Sequence, residues 1–529
     1  YRLDQPGPAV RVVTPMVRVS GLRARFDNAT VTVRTPAPEP VGKRDPIPPW
    51  TSRPGAPLAR GTGFFRTVEA EGRWWLVDPE GKPFFDIGTD HINYRGHWCE
   101  ALGYAPYHRN VAAKYGSEAA WAEATLERLK RWGFNTLPAG HSKSLRHRGL
   151  AHIEFASFGA SFARREWICR PVHWTGFPDV FSPRWESHCR LVARRMARES
   201  KGDPWCIGTF LDNELEWYGK RGHLVDEVFQ LSATRPAKKA LHDWMVEHYG
   251  SLAQATRRLG TAWSDEAAFL SDTNVPAASP ALDEVREGFL SVIADRYFGV
   301  ASRALREADP DHLVLGCRFA GQAPKPVLAA AGQYNDVFTI NSYPRVDFEN
   351  VWLPDGTGGV VERVPRQLAE YHAVVRKPMI LTEWSFPALD SGLPCKHGAG
   401  MRVDTQEQKA ACYRIFANAM ADLPFVVGYH YFMWMDEPAL GISSTFPEDS
   451  NYGLVNEQDE PYDVFTKVVT EVNRQAAARH ARSRISADLG LVAGPGRVEV
   501  FNTNALPAHG HLRLAVEGRI QVETLRLQP

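Results

Sequence analysis

Between about residues 60 and 480, short apolar runs end in polar residues and are followed by amphipathic stretches, and this repeat constrains the fold more than any other feature. Eight such runs can be drawn, at 84–89, 134–137, 152–155, 207–211, 313–319, 337–341, 378–382 and 426–432. Alternation of this kind is the signature of a parallel α/β sheet. One unit shows the logic. Trp121, Thr125, Leu126, Leu129 and Trp132 fall on one helical face, Gly133 stops the helix, and a strand restarts at Phe134. An open doubly wound sheet would carry a Gly-rich phosphate loop after its first strand, and none follows residue 89. The expected fold is therefore a (β/α)8 barrel with insertions.

The ends of the chain read differently. Residues 9–34 alternate as a small antiparallel β unit, and 36–57 hold eight prolines, which resist helix and sheet alike. Alternation returns at 497–501, 511–516 and 519–523. The expected organisation is an N-terminal β segment (1–35), a Pro-rich linker (36–59), a catalytic barrel (60–480) and a C-terminal β segment (481–529). Hydrophobic residues at 44% and charged residues at 23% exclude a disordered chain. A net charge of +1 gives no field to attract nucleic acid or an anionic membrane. No run approaches the roughly 20 apolar residues of a membrane span. The expectation is a soluble protein, secreted or periplasmic. Seven cysteines without C-x-x-C spacing read as isolated buried thiols.

In a barrel of this kind the chemistry lies at the C-terminal ends of the strands. The fourth run continues into Asp212-Asn213-Glu214-Leu-Glu216, and the seventh into Thr382-Glu383-Trp384. A carboxylate at each place supplies what retaining glycoside hydrolysis needs: a protonated acid for the leaving oxygen and a nucleophile for the anomeric carbon, about 5 to 5.5 Å apart. Glu214 is the expected acid/base and Glu383 the expected nucleophile. Asp212 and Glu216 share the face of Glu214 by alternation and are its rivals. His91 and Asn93 after the first strand, and Arg318 at the fifth, suit contacts to substrate hydroxyls. Trp384 and His430 complete the candidate substrate-binding set, with His141 below them. No histidine shows ligand spacing and the two-carboxylate mechanism needs no metal, so no metal and no cofactor are expected. The expected partner is a carbohydrate, and the 16 Trp, 16 Tyr and 26 Phe offer rings to line a sugar groove.

Asn213-Glu214 and Glu383 resemble the acid/base and nucleophile signatures of the large retaining glycosidase clan built on (β/α)8 barrels. Residues 241–252 and 259–263 resemble the helical insertion after strand four in β-galactosidases of family 42 and β-agarases of family 50. Arg296-Tyr297-Phe298 and the stretch from Asp309 to Phe319 resemble the family 50 agarases more closely. The resemblance spans about residues 60–475. It implies that Asn213 bonds the sugar 2-hydroxyl, that Tyr343 orients or tunes Glu383, and that Trp434 forms the apolar floor beneath the −1 sugar. It also implies hydrolysis of a β-linked galactose-containing poly- or oligosaccharide. Ahead of the linker this chain has only a short β segment, where agarases of that family carry a larger carbohydrate-binding-like domain. Two alternatives stay open: an exo-β-glycosidase such as a β-galactosidase acting on non-agar glycans, and a catalytically silent carbohydrate-binding protein.

Overall fold

The computed structural model describes residues 57–220, 222–347, 360–361 and 363–482, and the backbone of 489–494, 497–502, 508–516 and 519–527. The expected N-terminal β segment and most of the Pro-rich linker lie outside the described residues. Eight parallel strands stand where the apolar runs predict them. They are β1 (Asp86–Thr89), β2 (Thr136–Leu137), β3 (Ala151–Phe155), β4 (Cys206–Phe210), β5 in two pieces (Leu313–Val314 and Phe319–Ala320), β6 (Phe338–Asn341), β7 (Met379–Glu383) and β8 (Val426–Tyr431). β8 pairs with β1, Tyr431 opposite Thr89. The first piece of β5 pairs with β4 and the second with β6, which closes the barrel.

The break in β5 has a local cause. Gly316 (φ 78°) and Arg318 (φ 39°) take left-handed backbone, so the strand bulges and its polar groups bond neighbours irregularly. Leu211 N donates to Gly316 O at 2.7 Å and Glu214 N to Arg318 O at 3.1 Å. Arg318 N donates to Thr339 Oγ1 at 3.0 Å. The bulge thus ties the end of β4 to β5 and sets the direction in which Arg318 leaves the strand.

Alternation along the strands puts Ala151, Ile153, Ile207, Leu313, Val337, Ile380 and Val427 into one buried cluster inside the barrel. Phe65, Leu76 and Phe84 join it from a small antiparallel sheet (Arg66–Ala70, Arg73–Val77, Pro83–Phe84) that plugs the N-terminal end. The interior is a packed core, and the open space of the barrel lies at the opposite mouth.

The helix Glu118–Arg131 buries Trp121, Thr125, Leu126 and Leu129, as its periodicity predicts, and Ser117 caps it by accepting from Ala120 N. After β4 the helices Pro236–Tyr249, Leu252–Leu259 and Glu266–Ser271 form the expected insertion, and the long helix Pro280–Ala308 returns to the barrel. One connection departs from the pattern. Between β2 and β3, residues 138–150 contain only the 3-10 turn Lys143–Leu145 and no α-helix. At the C-terminus, Leu489–Gly494 pairs with Arg497–Asn502 and Ala508–Val516 with Arg519–Leu527, both antiparallel; strands cover the three alternating runs, while 489–494 was not expected. All seven cysteines are buried free thiols. Among the described residues no helix is long and apolar enough to cross a membrane.

A buried polar network fastens the segment after β8 to the barrel's first helices. Asp459 accepts from Arg128 Nη2 (2.7 Å), Tyr107 Oη (2.8 Å) and Tyr115 Oη (2.6 Å). Tyr107 Oη in turn accepts from the indoles of Trp121 (3.0 Å) and Trp434 (2.9 Å). Asp459→Ala leaves a buried guanidinium uncompensated and is expected to cost about 3–5 kcal/mol. Denaturant unfolding should show a lower midpoint at unchanged m-value. An unchanged midpoint would mean the network contributes nothing to stability.

Candidate active site

Every strand of the barrel sends a residue to the wall of one cavity of about 740 Å3 at the C-terminal mouth. His91 comes from β1, Ala139 from β2, Phe155 from β3, Glu214 from β4, Arg318 from β5, Tyr343 from β6, Glu383 from β7 and Phe432 from β8. Glu214 and Glu383, far apart in the chain, therefore face the same space.

The two carboxylates have different surroundings. Glu383 closes β7 and is 7% exposed. Tyr343 Oη donates to its Oε2 at 2.8 Å, and Arg318 Nη2 lies 3.1 Å from its Oε1. The same Arg318 nitrogen bonds the buried carboxylate of Asp90 and donates to Thr382 O at 2.7 Å. Burial pushes Glu383 well above the usual carboxylate range; Glu214 and Asp90 push the same way, while Arg318 and Tyr343 oppose them. Burial also raises Asp90, against the pull of Arg318. One guanidinium thus serves two buried carboxyl groups.

Glu214 sits past the end of β4 at φ 50°, in the left-handed region, where the backbone turns the side chain into the cavity. Its Oε1 accepts from Asn341 Nδ2 at 2.9 Å and its Oε2 from Trp174 Nε1 at 3.2 Å. Asn341 Nδ2 also donates to Asn213 Oδ1 at 3.1 Å, and its Oδ1 accepts from Thr382 Oγ1 at 2.8 Å. One amide at the end of β6 therefore connects the acid on β4 with the strand that carries Glu383.

The rivals of Glu214 stand elsewhere. Asp212 is fully buried, and its carboxylate accepts from Gly159 N (2.5 Å), Ala160 N (2.9 Å) and Tyr297 Oη (2.7 Å), anchoring the start of the helix Phe158–Ala163. Burial holds it up at about 6. Neither Asp212 nor Glu216 lines the cavity.

Of the other expected residues, Asn213, Tyr343, Arg318 and His91 line the cavity. His91 is kept neutral by burial, with His97 and Arg318 adding to the effect, so its imidazole is an uncharged hydrogen-bonding group. Four expectations are corrected. Trp434 is fully buried outside the cavity: its Nε1 donates to Tyr107 and the Arg128 guanidinium lies over its ring at 4.9 Å. Phe432, two residues earlier, lines the cavity instead. Trp384 points away from the cavity into the layer of Tyr413, Phe416 and Tyr431. His430 lies inside the barrel against Phe210, with Nε2 2.8 Å from Asp86 Oδ2. Asn93 bonds Gly140 O and Arg95 N, holding its own loop. His141 is likewise structural, set between Pro138 O and Arg146 Nε.

Several cavity groups carried no usable sequence signal. Trp174 lies in the long β3–β4 connection, and Glu437 and Glu448 in the loop after β8. Glu437 is 1% exposed and raised well above the usual range by burial and its acidic neighbours, and its Oε2 lies 3.5 Å from His97 Nδ1. Glu448 is pushed up to about 7 by burial and by Glu214. Asn341 was legible in principle, as the polar end of the sixth run. Asp90, which follows the first run, was legible in the same way.

No family model matches the chain. It is 26% identical over 490 residues to Beta-agarase B of Vibrio sp. (strain JT0107), covering 79% of this chain and 49% of that protein. It is 27% identical over 481 residues to Beta-agarase A of the same strain, covering 79% of this chain and 46% of that protein. The chain spans about half the length of these curated relatives. Among solved structures, an exo-beta-agarase superposes with a TM-score of 0.67 at 24% identity, over 80% of this chain and 66% of that one. The chain thus resembles β-agarases in sequence, and its barrel is theirs in fold.

Proposed function

We propose that this chain, similar to β-agarases, hydrolyses β-linked galactose-containing poly- or oligosaccharide of the agar type with retention of configuration. The observation that carries this reading is the pair of glutamates at the ends of β4 and β7, facing one cavity with unlike partners. Glu214, held by Asn341 and Trp174, gives its proton to the leaving glycosidic oxygen. Glu383 attacks the anomeric carbon and forms a glycosyl ester. Glu214 then takes a proton from water, which cleaves the ester and frees both sugar and carboxylate. Arg318 and Tyr343 favour the charged form of Glu383 against its burial and hold the group in one orientation. Asn213 meets the sugar 2-hydroxyl. Neutral His91 and the ring of Phe432 complete the wall around the sugar.

Agarose oligosaccharides and simple β-galactosides, incubated separately with the protein and read by mass spectrometry, test the substrate. Cleavage of the agarose oligosaccharides is expected, with the product ladder separating exo from endo action. Cleavage of the β-galactosides alone would replace the agar assignment by a β-galactosidase. Cleavage of neither would favour the silent binding protein.

Tyr343→Phe gives a further expected result. The ring still packs beside Phe432, but the ionised form of Glu383 loses a hydrogen bond. A hydrogen bond to a charged group is worth about 1.5–3 kcal/mol, so the Glu383 pKa should rise further. The nucleophile works ionised, so activity disappears as pH falls through that pKa. The acid limb of kcat/KM should therefore move to higher pH. An unmoved acid limb would show that Tyr343 does not tune the nucleophile.

A further inference from the structure

The outer face of β3 is unlike that of its neighbours. Ala151 and Ile153 point into the barrel, so His152 and Glu154 point out, where a barrel helix would ordinarily press an apolar face. That helix is missing, and the connection 138–150 covers the place instead. His152 is fully buried there, and neither ring nitrogen meets a partner at hydrogen-bonding geometry. Buried polar groups are almost always paired, so this ring calls for an explanation.

Two further donors converge on it. His147, at φ 59° in the same connection, brings Nε2 to 2.5 Å from Asp203 Oδ2, and His152 Nε2 lies 3.9 Å from that oxygen. Ligand atoms of all three residues lie within 4.8 Å of one another. On one zinc ion, nitrogen and oxygen ligands about 2.0–2.2 Å from the metal sit roughly 3.3 Å apart, between the two distances seen. Shifts of under an ångström, chiefly of the part-exposed His147, would admit the ion. The orientation of the cluster is already fixed from outside: Trp205 N donates to Asp203 Oδ1 at 3.0 Å, and Arg146 pairs with Glu154, whose Oε1 is 3.5 Å from His152 Nε2. With neutral imidazoles, Asp203, Glu154 and Arg146 sum to one negative charge.

We infer that His147, His152 and Asp203 form a structural zinc-type cation site on the outside of the barrel, open to a water ligand on the His147 side. It stands apart from the catalytic cavity, which none of the three residues lines. The ion would clamp the helix-free connection to β3 and to the turn before β4, in place of the packing a helix would give.

The test uses the whole chain, stripped with chelator and dialysed against zinc chloride, with bound metal counted by plasma mass spectrometry. Wild type should retain one equivalent, and its melting temperature should rise with zinc. His147→Asn, which suits left-handed backbone, and Asp203→Asn should each bind zinc about 100-fold or more weakly. His147→Asn should melt with metal-free wild type and gain nothing from zinc. Cobalt substituted for zinc should give the absorption of a four-coordinate ion in wild type alone. Wild type that retains no zinc, or His147→Asn that binds one equivalent as tightly as wild type, would overturn the assignment.

Discussion

Glu383→Ala should lower turnover by about 10^5-fold, the scale of losing a covalent nucleophile and equal to about 7 kcal/mol of transition-state stabilisation. The lost group is defined by its partners: Tyr343 on one oxygen and Arg318 on the other hold it at the end of β7. Alanine leaves a space on the face of the sugar where the proposed nucleophile would attack. A small anion fits that space, so azide should restore turnover and yield the α-glycosyl azide, inverted relative to substrate. Arg318 remains to receive the anion. Full activity in the variant without azide would show that another group attacks. Restored turnover with a β-glycosyl azide would place Glu383 on the acid's side of the bond.

Glu214→Ala should separate substrates by leaving group. A natural sugar alcoholate leaves only with a proton, and general acid catalysis contributes about 10^2- to 10^4-fold, so cleavage of natural linkages should fall by that range. An activated aryl glycoside needs no proton, and formation of its glycosyl enzyme should be nearly unaffected. In the proposed mechanism Glu214 is also the base for water, so the intermediate should then accumulate. Azide should release it as the β-glycosyl azide, the mirror of the outcome at Glu383. Equal losses on both substrate types would remove Glu214 from the role of proton donor. Asp212 would not inherit that role, since its carboxylate is spent on Gly159, Ala160 and Tyr297.

The barrel was legible because its cause is local. Each strand is a short apolar run, and the residues just past each run mark the rim, which is why Glu214 and Glu383 could be placed at the mouth from the chain alone. What escaped depends on direction at the rim. The segment after β8 carries aromatics at both Phe432 and Trp434, and only the fold decides that Phe432 lines the cavity while Trp434 turns to Tyr107 and Arg128. His430 and Trp384 failed as cavity residues for the same reason. Partner Asp86 holds His430 in the barrel interior, and Trp384 faces the aromatic layer of Tyr413 and Phe416. Trp174, Glu437 and Glu448 arrive on long connections, where no periodicity predicts which residue returns to the mouth. The missing helix between β2 and β3 was also invisible, because a barrel pattern is read from its strands and residues 138–150 supply a plausible length of chain for one.

A glycosyl ester at Glu383 is the central step of the proposed mechanism, and the configuration of the first-formed product reports it most directly. Proton NMR of agarose oligosaccharide cleavage, read before mutarotation scrambles the new reducing end, gives that configuration. The β-anomer should appear first and decay toward equilibrium, the mark of two successive inversions. An α-anomer appearing first would mean direct attack by water, and would contradict Glu383 as a nucleophile.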